Sequence, residues 1–459
     1  MPLRVFSHKL VIIALCVLFL TPATVVSADE DTRDVQQILS ALGYNPGPLD
    51  GLWGGSTARA LEAYAASEGL AFEGALTTEL YDHLVARHPG LATGYRHLEA
   101  ALDMPQPPLF PLENDRCLTG QSFDSVSSAN YYKVVDRDVH GATRIGGFIK
   151  VIGYVLANHI SARSRETPAY QSGRPDEDFR SFLAHLENAA ADHAFTELFF
   201  APGGGPSPAH WVSALLNNLS YLVNYTDRVG LWRDDDQRAA LISWGNRIYH
   251  VSHNVSGPGK GREIPSVRWP DTLALQALAY VNWGLATSSP AAFSEGVEDW
   301  FTLFNLLEAN GGLRTFLNGG RWQGVAGPEN NDFYYDNALG FMVIAAVSSQ
   351  TVGIDLFSQV RNGATLHDAI EWRLRYVTDW ERLANVSSQP LYDDYEGRRR
   401  YWQRSSFGGN WGWTEAYIGA FPDTDLAIRL ARVNSERVGT GRYSSATMGP
   451  ASCLYGLHR

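Results

Sequence analysis

The sequence predicts an all-α protein: an (α/α) toroid or incomplete barrel, preceded by a small three-helix module. Three observations carry that prediction. Segment after segment repeats its apolar residues with the helical period, and strand-like alternation is scarce. The helical segments have ordinary lengths but long, variable connections, as in hairpins wound into a ring rather than a short-looped bundle. No fixed-length repeat accompanies them, so periodicity alone leaves a simple solenoid open.

The 459 residues suffice for two or three domains, and 45% hydrophobic content is that of an ordinary folded protein. Aromatic residues are plentiful, with Trp 13, Tyr 21 and Phe 20. They suit a large helical core and equally a cleft that stacks sugars.

Residues 1–28 read as an export signal. Arg4 and Lys9 form the basic start, Leu10 to Leu20 the apolar run, and Val26-Ser27-Ala28 the small-residue cleavage site. The expected location is therefore periplasmic or secreted, with no membrane span after signal removal. Losing Arg4 and Lys9 takes the net charge of -12 to -14. So acidic a protein has no generic attraction to nucleic acid or anionic lipid, although a local basic cleft can still receive a polyanionic sugar. Cys117 and Cys453 remain in the exported chain and can form one disulfide. No Cys/His cluster argues for zinc, and no cofactor or metal is expected.

In the module, residues 30–88, Thr32 reads as the cap of a first helix with Val35, Ile38, Leu39 and Leu42 on one face, ended by Gly43. Pro46-Gly47-Pro48-Leu49-Asp50-Gly51-Leu52-Trp53-Gly54 is a tight loop, a second helix runs from Ser56 to Glu68, and a third from Thr77 to about Leu84. The string from Val35 to Leu70, above all Asp50-Gly51-Leu52-Trp53-Gly54, resembles the peptidoglycan-binding-like three-helix module. That resemblance implies docking to peptidoglycan or an envelope protein, with a structural appendage as the alternative. Residues 89–116, with Pro105-Gln106-Pro107-Pro108, read as a linker.

Residues 117–459 read as helix after helix: Asp176 to Phe199, His210 to Asp227, Asp235 to Tyr249, Asp271 to Ala286, Ala291 to Asn310, Asn337 to Ser348, Thr365 to Ala384 and Thr424 to Val433. The loops between them are rich in glycine and aromatic residues, and such loops on a helical frame are where binding residues collect. Within Asn217-Asn218-Leu219-Ser220-Tyr221, two adjacent amides interrupt an apolar helix and must be hydrogen-bonded or aimed into a cavity.

Several stretches resemble the mannuronate-specific alginate lyase family, helical-toroid polysaccharide lyases, over residues 117–425. Asn217-Asn218-Leu219-Ser220-Tyr221 is similar to that family's asparagine-asparagine-histidine-x-tyrosine-tryptophan motif. Ala277 to Leu285 resembles alanine-leucine-x-tyrosine-histidine-asparagine-tyrosine-alanine-leucine, and Trp413-Thr414-Glu415-Ala416-Tyr417 with Phe421-Pro422 resembles the segment near its C-terminus. Phe123-Asp124-Ser125 with Tyr131-Tyr132 is a looser match.

The resemblance implies β-elimination on an acidic, uronate-containing polysaccharide. Asn218 would neutralise the substrate carboxylate and Tyr280 would handle protons, with Arg268 the nearest candidate for the arginine partner and Arg262 the reserve. The expected histidine positions hold Leu219 and Val281, and leucine exchanges no proton. Hence the substrate is expected to differ from standard alginate. Either Tyr280 serves as both base and acid, or another histidine substitutes (His250 and His253 are candidates), or only a sugar-binding cleft remains.

Further candidate substrate contacts are Tyr221, Trp413, Glu415 and Tyr417. Arg400, Trp402 and Arg404 add to these, in the chain's strongest basic run, where rings and cations alternate as a sugar acid requires. Glu415 also permits an inverting glycoside hydrolase, with Asp332, Asp336, Asp393 or Asp394 as second carboxylate. A non-catalytic envelope polysaccharide-binding protein is the third hypothesis.

Overall fold

The computed structural model describes residues 30–47, 51–87, 102, 109, 141–164, 173–196, 208–256, 270–313, 328–378, 411–437 and 454–455. Among these the chain is helical, with one isolated bridge between Arg361 and Ala364. The described apolar residues form two clusters, one within residues 35–84 and one running from Leu102 to Tyr455.

The module has three helices, α1 (Glu30–Ala41), α2 (Gly55–Glu68) and α3 (Thr78–Arg87). The first starts earlier than its sequence suggests, so Thr32 lies inside it rather than capping it. Gly43 follows α1 at φ 86°, a conformation natural to glycine. Gln36 holds the Gly51–Gly54 loop from within the module. It accepts from Gly51 N at 2.8 Å and donates to Leu52 O and Thr57 Oγ1, each at 3.2 Å. The loop's Leu52 and Trp53 are left facing solvent, 43% and 37% exposed.

Among the described residues, ten helices make the large body. They are α4 (Gly141–Ser164), α5 (Arg174–Ala191), α6 (Pro208–Val229), α7 (Asp235–Ser256), α8 (Pro270–Thr287), α9 (Pro290–Phe304), α10 (Pro328–Gln350), α11 (Leu366–Thr378), α12 (Trp413–Ala420) and α13 (Asp425–Arg437). Each even-numbered helix packs on its even-numbered neighbours and on the odd-numbered helix that follows it. This is a ring of hairpins with α4, α6, α8, α10 and α12 inside and the odd-numbered helices outside. The inner helix α8 is buried on every side from Pro270 to Ala286 apart from Thr272 and Leu273, as expected of a helix apolar all round.

The α8–α9 hairpin brings backbones together. A Cβ on Gly284 would lie 2.5 Å from Phe293 N, and one on Gly296 would lie 2.5 Å from Val281 N. Ser289 caps α9 through a bond from Ala292 N, and proline follows at the first helical position.

Several helices of the large body differ from their sequence expectations: α7 runs past Tyr249 to Ser256, and α10 begins at Pro328, nine residues before Asn337. The pattern did not single out α4, whose Gly146, Gly147 and Gly153 weaken its helical signal. Its Ile145–Arg163 stretch is long and apolar enough to cross a membrane by composition, yet 67% of that stretch is buried inside the structure. The α5 helix stops at Ala191 because His193 and Phe195 take positive φ values of 54° and 60°, and Trp244 Nε1 donates to Ala194 O at 2.7 Å. The α9 helix stops at Phe304, where the chain turns through residues 305–313 rather than continuing to Asn310.

Candidate active site

Short connections join inner to outer helices at 230–234, 288–289 and 421–424, with a longer one at 351–365. Segments 192–207, 257–269, 305–327 and 379–412, largely outside the described residues, precede the N-termini of α6, α8, α10 and α12 in the chain. The inner helices therefore run parallel, and their N-termini share one end of the ring. Aligned peptide dipoles make that end favourable to anions.

Polar side chains lie on the inner helices below this end. Asn217 on α6 accepts from Asn282 Nδ2 on α8 at 2.8 Å, with both residues fully buried. Tyr221, one turn along α6, joins them, and its hydroxyl pairs with Tyr455 at 3.0 Å. Burial pushes the Tyr221 phenol up to about 12, against the bonds from Tyr455, Asn217 and Asn282. It is a deeply placed network member rather than a surface for substrate. Asn218 donates to its own helix at Ala214 O, 2.9 Å away, while Leu219 is buried among apolar neighbours.

Tyr280 is completely buried on α8. Its hydroxyl accepts from Gln276 Nε2 at 2.7 Å, bonds Ser252 of α7, and its ring meets Tyr249 edge-on with centroids 4.8 Å apart. Burial raises its pKa, and the negative charges of Glu295 and Asp299 raise it further. A general base needs the opposite influence, so Tyr280 holds its proton at neutral pH.

On α12, Trp413 and Glu415 are buried. Tyr417 turns toward α11, where its hydroxyl meets His367 Nδ1 at 2.8 Å within a cluster with Phe357 and Phe421. Burial pushes that phenol up to about 12. Asp336 does not serve as a free second carboxylate for Glu415. Arg373 donates to both its oxygens, at 2.7 and 2.8 Å, and Trp411 Nε1 donates at 3.2 Å, with the ion pair wholly enclosed. His250 is exposed on α7, and His253 belongs to the same helix. Arg262, Arg268, Arg400, Trp402, Arg404, Asp393, Asp394, Cys117 and Cys453 lie outside the described residues.

The structure adds a pair that the sequence did not mark. His210, in the first turn of α6, has Nδ1 3.8 Å from Asp271 Oδ2, in the first turn of α8, and 3.5 Å from Thr272 Oγ1. Burial pushes Asp271 up to about 7, against bonds from the backbone of Thr272 and of Asp271 itself, and pushes His210 down to about 4. Asp271 Oδ1 is buried without a hydrogen-bonding partner. In sequence, Asp271 after Pro270 looks like an ordinary helix start, and only the neighbouring α6 distinguishes it.

Residues 28–84 match the family model described as a putative peptidoglycan binding domain. No curated protein matches the chain. Among solved structures, the chain is similar to a tyrosine-to-phenylalanine variant and a histidine-to-alanine variant of alginate lyase A1-III, both complexed with tetrasaccharide. Each superposes with a TM-score of 0.53 at 13% identity, over 79% of this chain and 94% of the lyase. The histidine-to-alanine variant in its apo form gives 0.50 at 15% identity, over 82% and 94%. The large helical body thus has the (α/α) toroid fold of alginate lyase A1-III.

Proposed function

We propose that this chain is a polysaccharide lyase-like enzyme of the cell envelope, cleaving an acidic, uronate-containing polysaccharide by β-elimination. One observation carries the reading. The two segments on which the lyase resemblance rests, around Asn217-Asn218 and around Tyr280, stand on adjacent inner helices and are tied together by the Asn217–Asn282 bond. They do so in a toroid shared with enzymes whose bound ligand is a tetrasaccharide.

In this reading the polysaccharide enters at the end formed by the inner-helix N-termini, where the dipoles favour its carboxylates. Arg262 and Arg268, in the segment that leads into α8, and the run containing Arg400, Trp402 and Arg404 supply positive charge. Asn218 lies near the substrate carboxylate. Tyr280 acts as a protonated hydrogen-bonding group, not as the base. Export through residues 1–28 and docking of residues 30–88 on peptidoglycan or an envelope protein would place the enzyme beside such polymers. The Cys117–Cys453 disulfide belongs to the same proposal.

Two other readings keep specific support. Leu219 and the enclosed hydroxyl of Tyr280 favour a non-catalytic binder. Glu415 favours a hydrolase, although the enclosed Asp336 removes one of its four candidate partners. A panel of polyuronates separates the three. A lyase generates the ultraviolet absorbance of an unsaturated uronate, a hydrolase generates reducing ends without it, and a binder retains polymer unchanged. Reducing ends or retention alone would overturn the lyase reading.

A further inference from the structure

Tyr455 lies beyond the segments that carry the lyase resemblance, yet it reaches into their midst. Leu454 is fully buried and Tyr455 is 4% exposed. The Tyr455 hydroxyl meets that of Tyr221 on α6 at 3.0 Å, and the two rings pack edge-on with centroids 6.5 Å apart. Ser348 of α10 stands close to the same hydroxyl. A Cβ on Gly419 of α12 would lie 3.4 Å from the Tyr455 backbone oxygen. One residue therefore adjoins three inner helices, of which α6 and α12 have α8 and α10 between them along the ring.

The register of α6 gives this contact its consequence. Asn217 and Tyr221 are four residues apart, so their side chains share one face, one turn from each other. Asn217 is held by Asn282 of α8, and Tyr221 by Tyr455. One such contact leaves a helix able to roll about it, whereas two, to different neighbours, fix both its roll and its slide. Asn218 points about 100° around from Asn217. It donates to its own helix at Ala214 O, so its side chain is carried by α6 and turns where the helix turns.

Burial keeps both phenols protonated through the neutral range, Tyr221 at about 12 and Tyr455 higher still, so the contact between them is a neutral hydrogen bond. Without the Tyr455 hydroxyl, that of Tyr221 draws more on Asn217 and Asn282, the amides it already adjoins, and competes with the bond between them.

We infer that Tyr455 is a positioning residue: through Tyr221 it fixes α6, so that the Asn217–Asn282 bond is kept and Asn218 is aimed. The role of Asn218 rests on the lyase reading above, and the fixing of α6 on the hydrogen bonds alone. Tyr455 acts through the helix and not on the sugar. The ring of hairpins is thus completed by the chain's last described residues.

The test uses the full-length chain and two variants. Tyr455→Phe removes one hydroxyl and keeps the ring, while Tyr221→Phe/Tyr455→Phe leaves neither phenol unpaired. Hydrogen exchange followed by mass spectrometry reports on α6 directly. Expected for Tyr455→Phe is exchange about 10-fold faster in peptides within 212–224 and 278–285, with those of α13 unchanged. On a polyuronate that the wild type cleaves, kcat should fall about 10-fold in both variants with KM changed less than threefold. The double variant separates positioning from stability, because it should melt above the single variant while its kcat stays low. A kcat that recovers with the melting temperature would overturn the inference, as would unchanged exchange or unchanged kcat in Tyr455→Phe. A wild type that cleaves no polyuronate overturns the lyase reading and with it the aiming of Asn218. Faster exchange in Tyr455→Phe would then still uphold the fixing of α6, and unchanged exchange would overturn that too.

Discussion

Replacing Arg373 by methionine tests the ion pair that clamps α10 to α11. Arg373 and Asp336 have no solvent exposure, and two bonds of 2.7 and 2.8 Å join them. Methionine keeps most of the aliphatic stem but removes both guanidinium bonds to Asp336, while the bond from Trp411 Nε1 at 3.2 Å stays. Stranding one member of a buried pair costs about 3–5 kcal/mol. The guanidinium also lies 4.9 Å from the Tyr335 ring centroid and 5.1 Å from that of Tyr376. These contacts add about 1 kcal/mol. The expected loss is therefore about 4–6 kcal/mol, lowering the midpoint of thermal unfolding by roughly 10 °C. Urea unfolding followed by far-ultraviolet circular dichroism measures it. The double variant Asp336→Leu/Arg373→Met should recover most of the loss, because it leaves no unpaired charge. A single variant costing under about 1 kcal/mol, or a double variant no more stable than the single, would refute the argument.

Other outcomes follow from named contacts. Gly296→Ala should destabilise by about 1–3 kcal/mol, since its Cβ would meet Val281 N and the backbone oxygen of Ala277, neither of which is a flexible side-chain end. Denaturant midpoints check this. Gln36→Leu should loosen the Gly51–Gly54 loop by removing its bonds to Gly51 N, Leu52 O and Thr57 Oγ1, and is read as faster proteolytic nicking of the full-length chain within that loop. The pH dependence of stability tests Asp271. Its folded pKa, about 7, exceeds its unfolded value near 3.8, so its contribution is complete below pH 4 and is lost as pH rises through 7. Asp271→Asn, which cannot ionise, should therefore gain about 2 kcal/mol relative to wild type between pH 5 and pH 8. A constant difference between the two proteins over that range would contradict the burial of Asp271.

Much of the fold was legible because its cause is periodic. The apolar spacing that predicts His210 to Asp227 and Asp271 to Ala286 is the spacing that buries α6 and α8, and the elements begin within two residues of those positions. Boundaries set by single contacts were not legible. The bond from Trp244 that accompanies the end of α5 comes from fifty residues away. For the candidate site, the sequence identified the segments but not the partners. Asn217 and Asn218 are adjacent and alike, yet it is Asn217 that reaches Asn282, because only one of two neighbouring positions on α6 faces α8. Tyr280 reads as a reactive phenol until Gln276, Ser252, Glu295 and Asp299 are placed around it. His210 and Asp271 are sixty-one positions apart, and nothing local announces that two helix starts will meet.

The glycine contacts between α8 and α9 have a mechanical consequence. Where Gly284 meets Phe293 and Gly296 meets Val281, no layer of side chains separates the backbones. Side chains can shift rotamers to absorb a displacement, whereas touching backbones transmit it. The two helices therefore move as one lever. Asp271 and Tyr280 ride on its inner arm, and on its outer arm is Glu298, which receives Arg33 of the N-terminal module at 2.5 Å. Load placed on the module would reach α8 through the Arg33–Glu298 contact without a compliant joint in the hairpin.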